Sequence, residues 1–226
     1  MKAVSRELRP RPHRFMKICE IFLSIQGEST YAGLPCAFIR TAGCNLRCLY
    51  CDTTYAYSEG SDMSPDEVLK ALRHFGVGMV EITGGEPLMQ PDLPALVRAL
   101  CSSGSTVLIE TNGSVSIAGI DRRAVVIMDV KTPGSGMSDT LDPDNLRRLK
   151  AKDEIKFVLT GRDDYEWARD FLRRRGPLAT AKVLFSPVFG MLQPRSLAEW
   201  ILQDRPAVRL NLQIHKYIYG PGERGV

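Results

Sequence analysis

The sequence predicts an α/β fold: a single-domain, partial (β/α)6-type barrel on a mainly parallel sheet. Short β-branched runs recur along the chain with amphipathic helical patterns between them, and several runs are apolar without alternation, as strands buried on both faces are. At 226 residues about six such units fit, too few for a closed eight-fold barrel. Hydrophobic residues at 44% and charged residues at 25% make a globular composition, neither disordered nor fibrous.

In chain order, the strands are expected at CAFIRTA (36–42), MVEIT (79–83), TVLIET (106–111), VVIMDVK (125–131), EIKFVLT (154–160), KVLFSP (182–187) and VRLNLQIH (208–215). Between the first two, Ser64 reads as a helix N-cap. Pro65 fits the first turn, Glu67 completes a capping box, and Val68, Leu69, Leu72 and Phe75 form one apolar stripe. Further helices are expected at PDLPALVRAL (91–100), RDDYEWARDFLRRR (162–175) and PRSLAEWILQ (194–203). Right-handed crossovers then gather a functional site at the C-terminal ends of the strands.

Residues 1–16 read as a basic tail and 17–226 as one domain. No run approaches the roughly 18 apolar residues of a membrane span, and the N-terminus lacks the apolar stretch of a secretory signal, so a cytoplasmic protein with no membrane partner is expected. The net charge of +4 is spread apart from the tail and the run FLRRRG, which reads as a solvated face; no nucleic-acid partner is expected.

Six cysteines in a reducing compartment point away from disulfides. Cys19, Cys36 and Cys101 lie among apolar residues and read as small core side chains. Cys44, Cys48 and Cys51 differ: they fall in the loop after the first predicted strand, with Gly43 allowing a sharp turn. Structural zinc asks for four protein ligands; no fourth cysteine is near, and His13 and His74 are the nearest imidazoles. A zinc or iron–sulfur binding module and an iron–sulfur cluster with one unligated iron both remain open at this point.

Cys-x3-Cys-x2-Cys followed by TGGEP (83–87) resembles the radical S-adenosylmethionine superfamily. The resemblance implies a 4Fe–4S cluster on the three cysteines, its fourth iron binding the methionyl amine and carboxylate of S-adenosylmethionine. The two glycines at the end of MVEIT are expected to allow close backbone approach to that ligand. Within the superfamily, EIFLSIQGES, FIRTAGCNLRC, CDTTYAY, EITGGEP, ETNGS, DVKTP and LQIHK together resemble the 7-carboxy-7-deazaguanine synthase family, in that family's order and across nearly the whole chain.

That resemblance implies a magnesium-dependent lyase of queuosine and 7-deazapurine biosynthesis. It would convert 6-carboxy-5,6,7,8-tetrahydropterin to 7-carboxy-7-deazaguanine with loss of ammonia, by hydrogen abstraction from the carbon carrying the carboxylate. It further implies that Ile25, Gln26, Gly27 and Thr83 face the pterin, with His215 and Pro221 near it, and that Arg40 holds its carboxylate. Tyr50, Cys51, Asp52, Gly85, Asp129, Val130 and Lys131 would touch S-adenosylmethionine, and Thr53 would ligate Mg2+. A homodimer and a reductant such as flavodoxin are expected on the same ground. Read bare, Gln26 and Glu28 are an ordinary polar turn, Thr83 and Thr111 are strand-end β-formers, and His215 is a late-strand structural residue. A glycyl-radical activating enzyme shares the cluster motif and Gly-Gly-Glu-Pro, and is the rival within the superfamily. Two departures stand out. Ser29 occupies the family's usual glycine after QGE, which predicts a differently shaped turn, and the chain runs on past the position of Pro221, where the family can end in a carboxylate.

Overall fold

The computed structural model describes residues 15–175 and 181–226. The elements in chain order are β1 (Met16–Ile25), β2 (Pro35–Thr41), β3 (Ser61–Met63), α1 (Pro65–Arg73), β4 (Met79–Gly84), α2 (Leu93–Ser102), β5 (Thr106–Thr111), β6 (Val125–Asp129), α3 (Pro143–Arg148), β7 (Glu154–Leu159), α4 (Arg162–Arg175), β8 (Lys182–Pro187), α5 (Pro194–Asp204), β9 (Arg209–Leu210) and α6 (Ile214–Ile218). They form one open sheet in the order β3-β1-β2-β4-β5-β6-β7-β8-β9. From β2 to β9 every neighbouring pair is parallel. At the other edge β1 runs antiparallel to both β2 and β3.

The six parallel strands β2 and β4–β8 match the expected runs, and α1 begins as its sequence dictates. Ser64 Oγ accepts from Glu67 N at 3.3 Å while Glu67 Oε2 accepts from Ser64 N at 2.8 Å, so each residue satisfies a backbone donor of the other. Of the basic tail expected at 1–16, residues 1–14 lie outside the described residues; β1 already begins at Met16.

The expected strand at 208–215 is a correction. Only Arg209 and Leu210 pair with β8, and the chain then turns into α6. The neighbouring strand ends at Pro187, which has no N–H to extend a ladder, and Ile214 N donates instead to Gly27 O at 2.9 Å. His215 therefore sits on a short helix packed against the β1–β2 loop.

Period-two alternation divides the sheet. The outer residues Ile39, Ile82, Val107 and Ile109 pack with Val68 and Leu72 of α1 and Leu93, Leu96 and Val97 of α2. Beneath α4 and α5, Ile155, Phe157, Leu159 and Phe185 join Tyr165, Phe171 and Leu197. Truncating a fully buried member such as Ile82 or Leu96 to alanine costs about 2–5 kcal/mol. The inner face changes character along the strands. Its start is apolar, with Cys36, Phe38, Met79, Leu108, Val125 and Ile127 in one cluster. Its C-terminal half carries Arg40, Glu81, Thr83, Glu110, Asp129 and Lys156, and these line a cavity.

Candidate active site

The cavity has a volume of about 230 Å3 and opens at the C-terminal ends of the parallel strands. Cys44, Cys48 and Cys51 lie on one side of it, on the loop that follows β2. That loop is built against the turn after β4, backbone to backbone. Gly43 takes φ 89°, accepts from Glu86 N at 2.8 Å, and donates to Ala56 O at 2.8 Å. A Cβ on Gly85 would collide with Gly43 O, and one on Gly84 with the Thr41 backbone. The glycine pair, whose predicted role is close backbone approach to a ligand, packs this closely against the end of β2 and the cysteine loop, and both glycines line the cavity. Glu86 is fully buried and accepts from Thr111 Oγ1 at 2.7 Å, Asn112 N at 2.8 Å and Leu88 N at 3.0 Å, which ties the turn to the end of β5.

Among the described residues all six cysteines are free thiols; Cys36 and Cys101 are buried as expected, whereas Cys19 is only half-buried. Burial pushes the thiols of Cys44 and Cys48 up. A cation between them would hold them as thiolates. Among the described residues no three His, Cys, Asp or Glu side chains gather as ligands of a single metal ion. Three thiols with no fourth protein ligand among the described residues fit a polynuclear cluster, three of whose irons each take one thiolate, better than four-ligand structural zinc.

Next to the cysteines, Lys131 Nζ donates to Asp129 Oδ2 at 2.7 Å, and both side chains are at least 85% buried. Burial would lower the Lys131 pKa, but the Asp129 carboxylate outweighs it and holds the ammonium charged. Asp129 Oδ1 is buried with no hydrogen-bond partner, an acceptor left for a ligand that brings O–H or N–H donors. Tyr50, whose hydroxyl donates to Val158 O at 3.3 Å, flanks the same wall. These groups fit S-adenosylmethionine.

At the far end lies a buried charge network that the motifs did not reveal. Lys156 Nζ bridges Glu28 Oε2 at 2.7 Å and Glu110 Oε1. Gln26 Nε2 donates to Glu81 Oε2 at 2.5 Å, and Gln213 Nε2 to Glu28 Oε1 at 2.8 Å. Burial and the neighbouring Glu110 charge push the Glu81 carboxyl up to about 8. For Glu28 burial acts upward too, but Lys156, then His215, and two hydrogen bonds outweigh it and bring the value down to about 2. The available signal was a charged residue in the middle of each apolar run, MVEIT, TVLIET and EIKFVLT: a charge inside a strand buried on both faces needs a partner.

Gly27 packs against His215; a Cβ there would collide with the imidazole. Ser29 takes φ 61°, a left-handed conformation that glycine adopts at no cost, so the serine holds a glycine-like backbone. Near the cysteines, Thr53 Oγ1 donates to Asp52 Oδ1 at 2.9 Å, and Lys216 Nζ donates to Asp52 Oδ2 at 2.5 Å. The lone pairs of the Thr53 hydroxyl remain available to a hard cation, which takes most of its other ligands from substrate and water when it is Mg2+. Arg40 Nε donates to Glu20 Oε1 at 2.6 Å, and the guanidinium reaches the cavity.

One cavity thus brings together Ile25, Gln26, Gly27, Arg40, Tyr50, Cys51, Asp52, Thr53, Thr83, Gly85, Asp129, Lys131 and His215 with Cys44 and Cys48. Val130 and Pro221 do not line it. Val130 is 1% exposed and packs on the outer side with Ile155 and Phe157, while Pro221 is exposed; Val226, further along, lines the cavity instead.

Comparison with known proteins follows the same lines. The radical SAM superfamily model matches residues 38–156. The chain is 45% identical over 218 residues to a 7-carboxy-7-deazaguanine synthase from Chlorobaculum tepidum, covering 93% of this chain and 97% of that protein. It is 43% identical over 226 residues to the enzyme of that name from Koribacter versatilis, covering 93% of this chain and 100% of that protein. The crystal structure of QueE from Escherichia coli is similar with a TM-score of 0.72 at 25% identity, over 88% of this chain and 93% of that one.

Proposed function

Because the chain belongs to the 7-carboxy-7-deazaguanine synthase family of the radical S-adenosylmethionine superfamily, we propose that it converts 6-carboxy-5,6,7,8-tetrahydropterin to 7-carboxy-7-deazaguanine with release of ammonia. On this reading it is a magnesium-dependent lyase of queuosine and 7-deazapurine biosynthesis, cytoplasmic and homodimeric, supplied with electrons by a reductant such as flavodoxin. The observation that carries the reading is the union of two chemistries in one cavity: three thiols at one side, and a buried network of carboxylates, amide and ammonium at the other.

A 4Fe–4S cluster on Cys44, Cys48 and Cys51 with S-adenosylmethionine would supply the one-electron chemistry that removes a hydrogen atom from the substrate. Asp129 and Lys131 offer that cofactor an acceptor and a cation, and Tyr50, Asp52 and Gly85 wall it in. The pterin's amide and amino edge presents N–H donors beside a carbonyl. Gln26, Glu28, Glu81 and Glu110 face it with acceptors, and Lys156 supplies a donor. Arg40 would offer its Nη groups to the substrate carboxylate, and Thr53 would offer an oxygen ligand to Mg2+. The rigid strands hold these groups in register.

Anaerobic reconstitution tests the cofactor half of the reading. Each of Cys44→Ala, Cys48→Ala and Cys51→Ala should lose the cluster's visible absorbance and its iron and sulfide, while Cys36→Ala should keep them. A reconstituted Cys48→Ala protein with full iron and sulfide would remove that residue from the ligand set.

A further inference from the structure

Arg40 sits at the inner end of β2, and its surroundings hold it by one edge. Glu20 Oε1, on the adjacent strand β1, accepts from Arg40 Nε at 2.6 Å and from the Tyr55 hydroxyl at 2.9 Å. The Phe22 ring lies 5.5 Å and the Tyr55 ring 5.9 Å from the guanidinium carbon. The Arg40 side chain is 17% and the Glu20 side chain 21% exposed, so the pair is shielded on most sides. Among the described residues, Nε to Glu20 is the guanidinium's hydrogen bond; Nη1 and Nη2 make none, and the residue lines the cavity. An arginine free in solution samples many rotamers, and locking its Nε edge leaves the two Nη groups as a fork of fixed plane.

Outside this pair the chain supplies a second layer. The guanidinium carbon of Arg224 lies 3.6 Å from the centroid of the Tyr55 ring, and its Nη1 pairs with Glu59 Oε2 at 2.9 Å. Two residues on, Val226 lines the cavity. The segment after α6 thus folds back over the outer face of Tyr55.

We propose that Glu20 and Tyr55 are positioning residues for substrate recognition: they hold Arg40 by its Nε edge so that its Nη fork meets the substrate carboxylate, and Arg224 braces Tyr55 from outside. This rests on the reading of Arg40 as the carboxylate-binding residue. It predicts that the outer residues act on the carboxylate alone and only through Arg40. A residue holding the strand pair β1–β2 together for stability would instead affect every ligand of the cavity.

The test uses the reconstituted, reduced enzyme with the carboxypterin, and with the same tetrahydropterin lacking its carboxylate as a competitive inhibitor. Glu20→Gln should raise KM for the carboxypterin about tenfold, the loss of one charge-assisted contact, and Tyr55→Phe about threefold. Arg224→Met, which removes an exposed cation–π contact, should raise it about twofold. The inhibitor, having no carboxylate, should bind all three variants as it binds the parent. In an Arg40→Lys background, Glu20→Gln should add nothing further, because the fork it aims is gone. If the effects of Glu20→Gln and Arg40→Lys multiply, or if the inhibitor weakens in step with the substrate, the positioning role is wrong while Arg40 keeps its own. If Arg40→Lys leaves KM unchanged, the reading of Arg40 itself fails. Cluster absorbance and the melting temperature of each variant report loading and folding.

Discussion

Replacing Lys156 with methionine should destabilise the protein at neutral pH and much less in acid. The Lys156 side chain is 4% exposed and faces Glu28 at 16% and Glu110 at 25%, so its loss strands two shielded carboxylates. The size follows from Glu28. Its carboxyl stands at about 2 where an ordinary glutamate stands near 4.5, because Lys156 and its neighbours overcome the upward push of burial. That difference of about 2.5 units corresponds to roughly 3 kcal/mol at 1.36 kcal/mol per unit, near the lower end of the 3–5 kcal/mol typical of a broken buried pair. For a chain of this length about 3 kcal/mol lowers Tm by about 6–12 °C. The sign against pH is set by a depressed carboxyl: the stabilisation is fully present above about 4.5 and is lost as pH falls toward 2. Thermal melts followed by circular dichroism at pH 7.5 and pH 4 measure both effects. The difference between parent and Lys156→Met should shrink in acid, as Glu28 in the variant takes up a proton. A variant that melts within about 2 °C of the parent at pH 7.5, or whose deficit stays constant down to pH 4, would refute the reasoning.

Glu81 carries the opposite sign. Held up at about 8, it keeps a proton in the fold that the unfolded chain releases near 4.5, so stability falls as pH rises through that window. Glu81→Gln retains an acceptor for Gln26 and cannot ionise; its Tm should match the parent's near pH 4.5 and exceed it increasingly toward pH 8.5, and parallel Tm curves would count against the assignment. Thr53→Ala should leave the cluster spectrum intact and raise the Mg2+ concentration needed for half-maximal turnover, whereas Thr53→Ser should be mild; overlaid magnesium titrations of parent and Thr53→Ala would exclude the hydroxyl as a ligand. Gly85→Ala should disrupt the contact between the turn after β4 and the cysteine loop, read as loss of iron on reconstitution with the overall helix content by circular dichroism unchanged.

The parallel strands were legible because they are short apolar runs between amphipathic helices, and the cavity's cysteine side because thiol spacing is chemically specific. β1 was not. MKICEIFLSI alternates imperfectly, follows a basic stretch, and pairs antiparallel at a bulge between Ile18 and Glu20, so no βα rhythm announces it. Its absence hid Glu20 and with it the setting of Arg40. The carboxylate end was hidden for a different reason: Glu81, Glu110 and Lys156 lie on β4, β5 and β7, and only the strand order and shared inner face bring them together. VRLNLQIH carries strand-forming residues, but Pro187 on its neighbour stops the ladder and the Gly27 carbonyl captures Ile214, which a local pattern cannot register. At Ser29 the left-handed backbone is held by the surrounding loop, where Gln26 N donates to Leu34 O at 2.8 Å and Gly33 N to Gln26 O at 2.8 Å, and by the serine itself, whose Oγ accepts from Tyr31 N at 3.1 Å.

The measurement that bears most directly on the whole account is turnover by the protein reconstituted without oxygen and reduced, given 6-carboxy-5,6,7,8-tetrahydropterin, S-adenosylmethionine and Mg2+, with products followed by mass spectrometry. Equal amounts of 7-carboxy-7-deazaguanine and ammonia are expected on this account. A fully loaded enzyme that cleaves S-adenosylmethionine but leaves the carboxypterin untouched would contradict it.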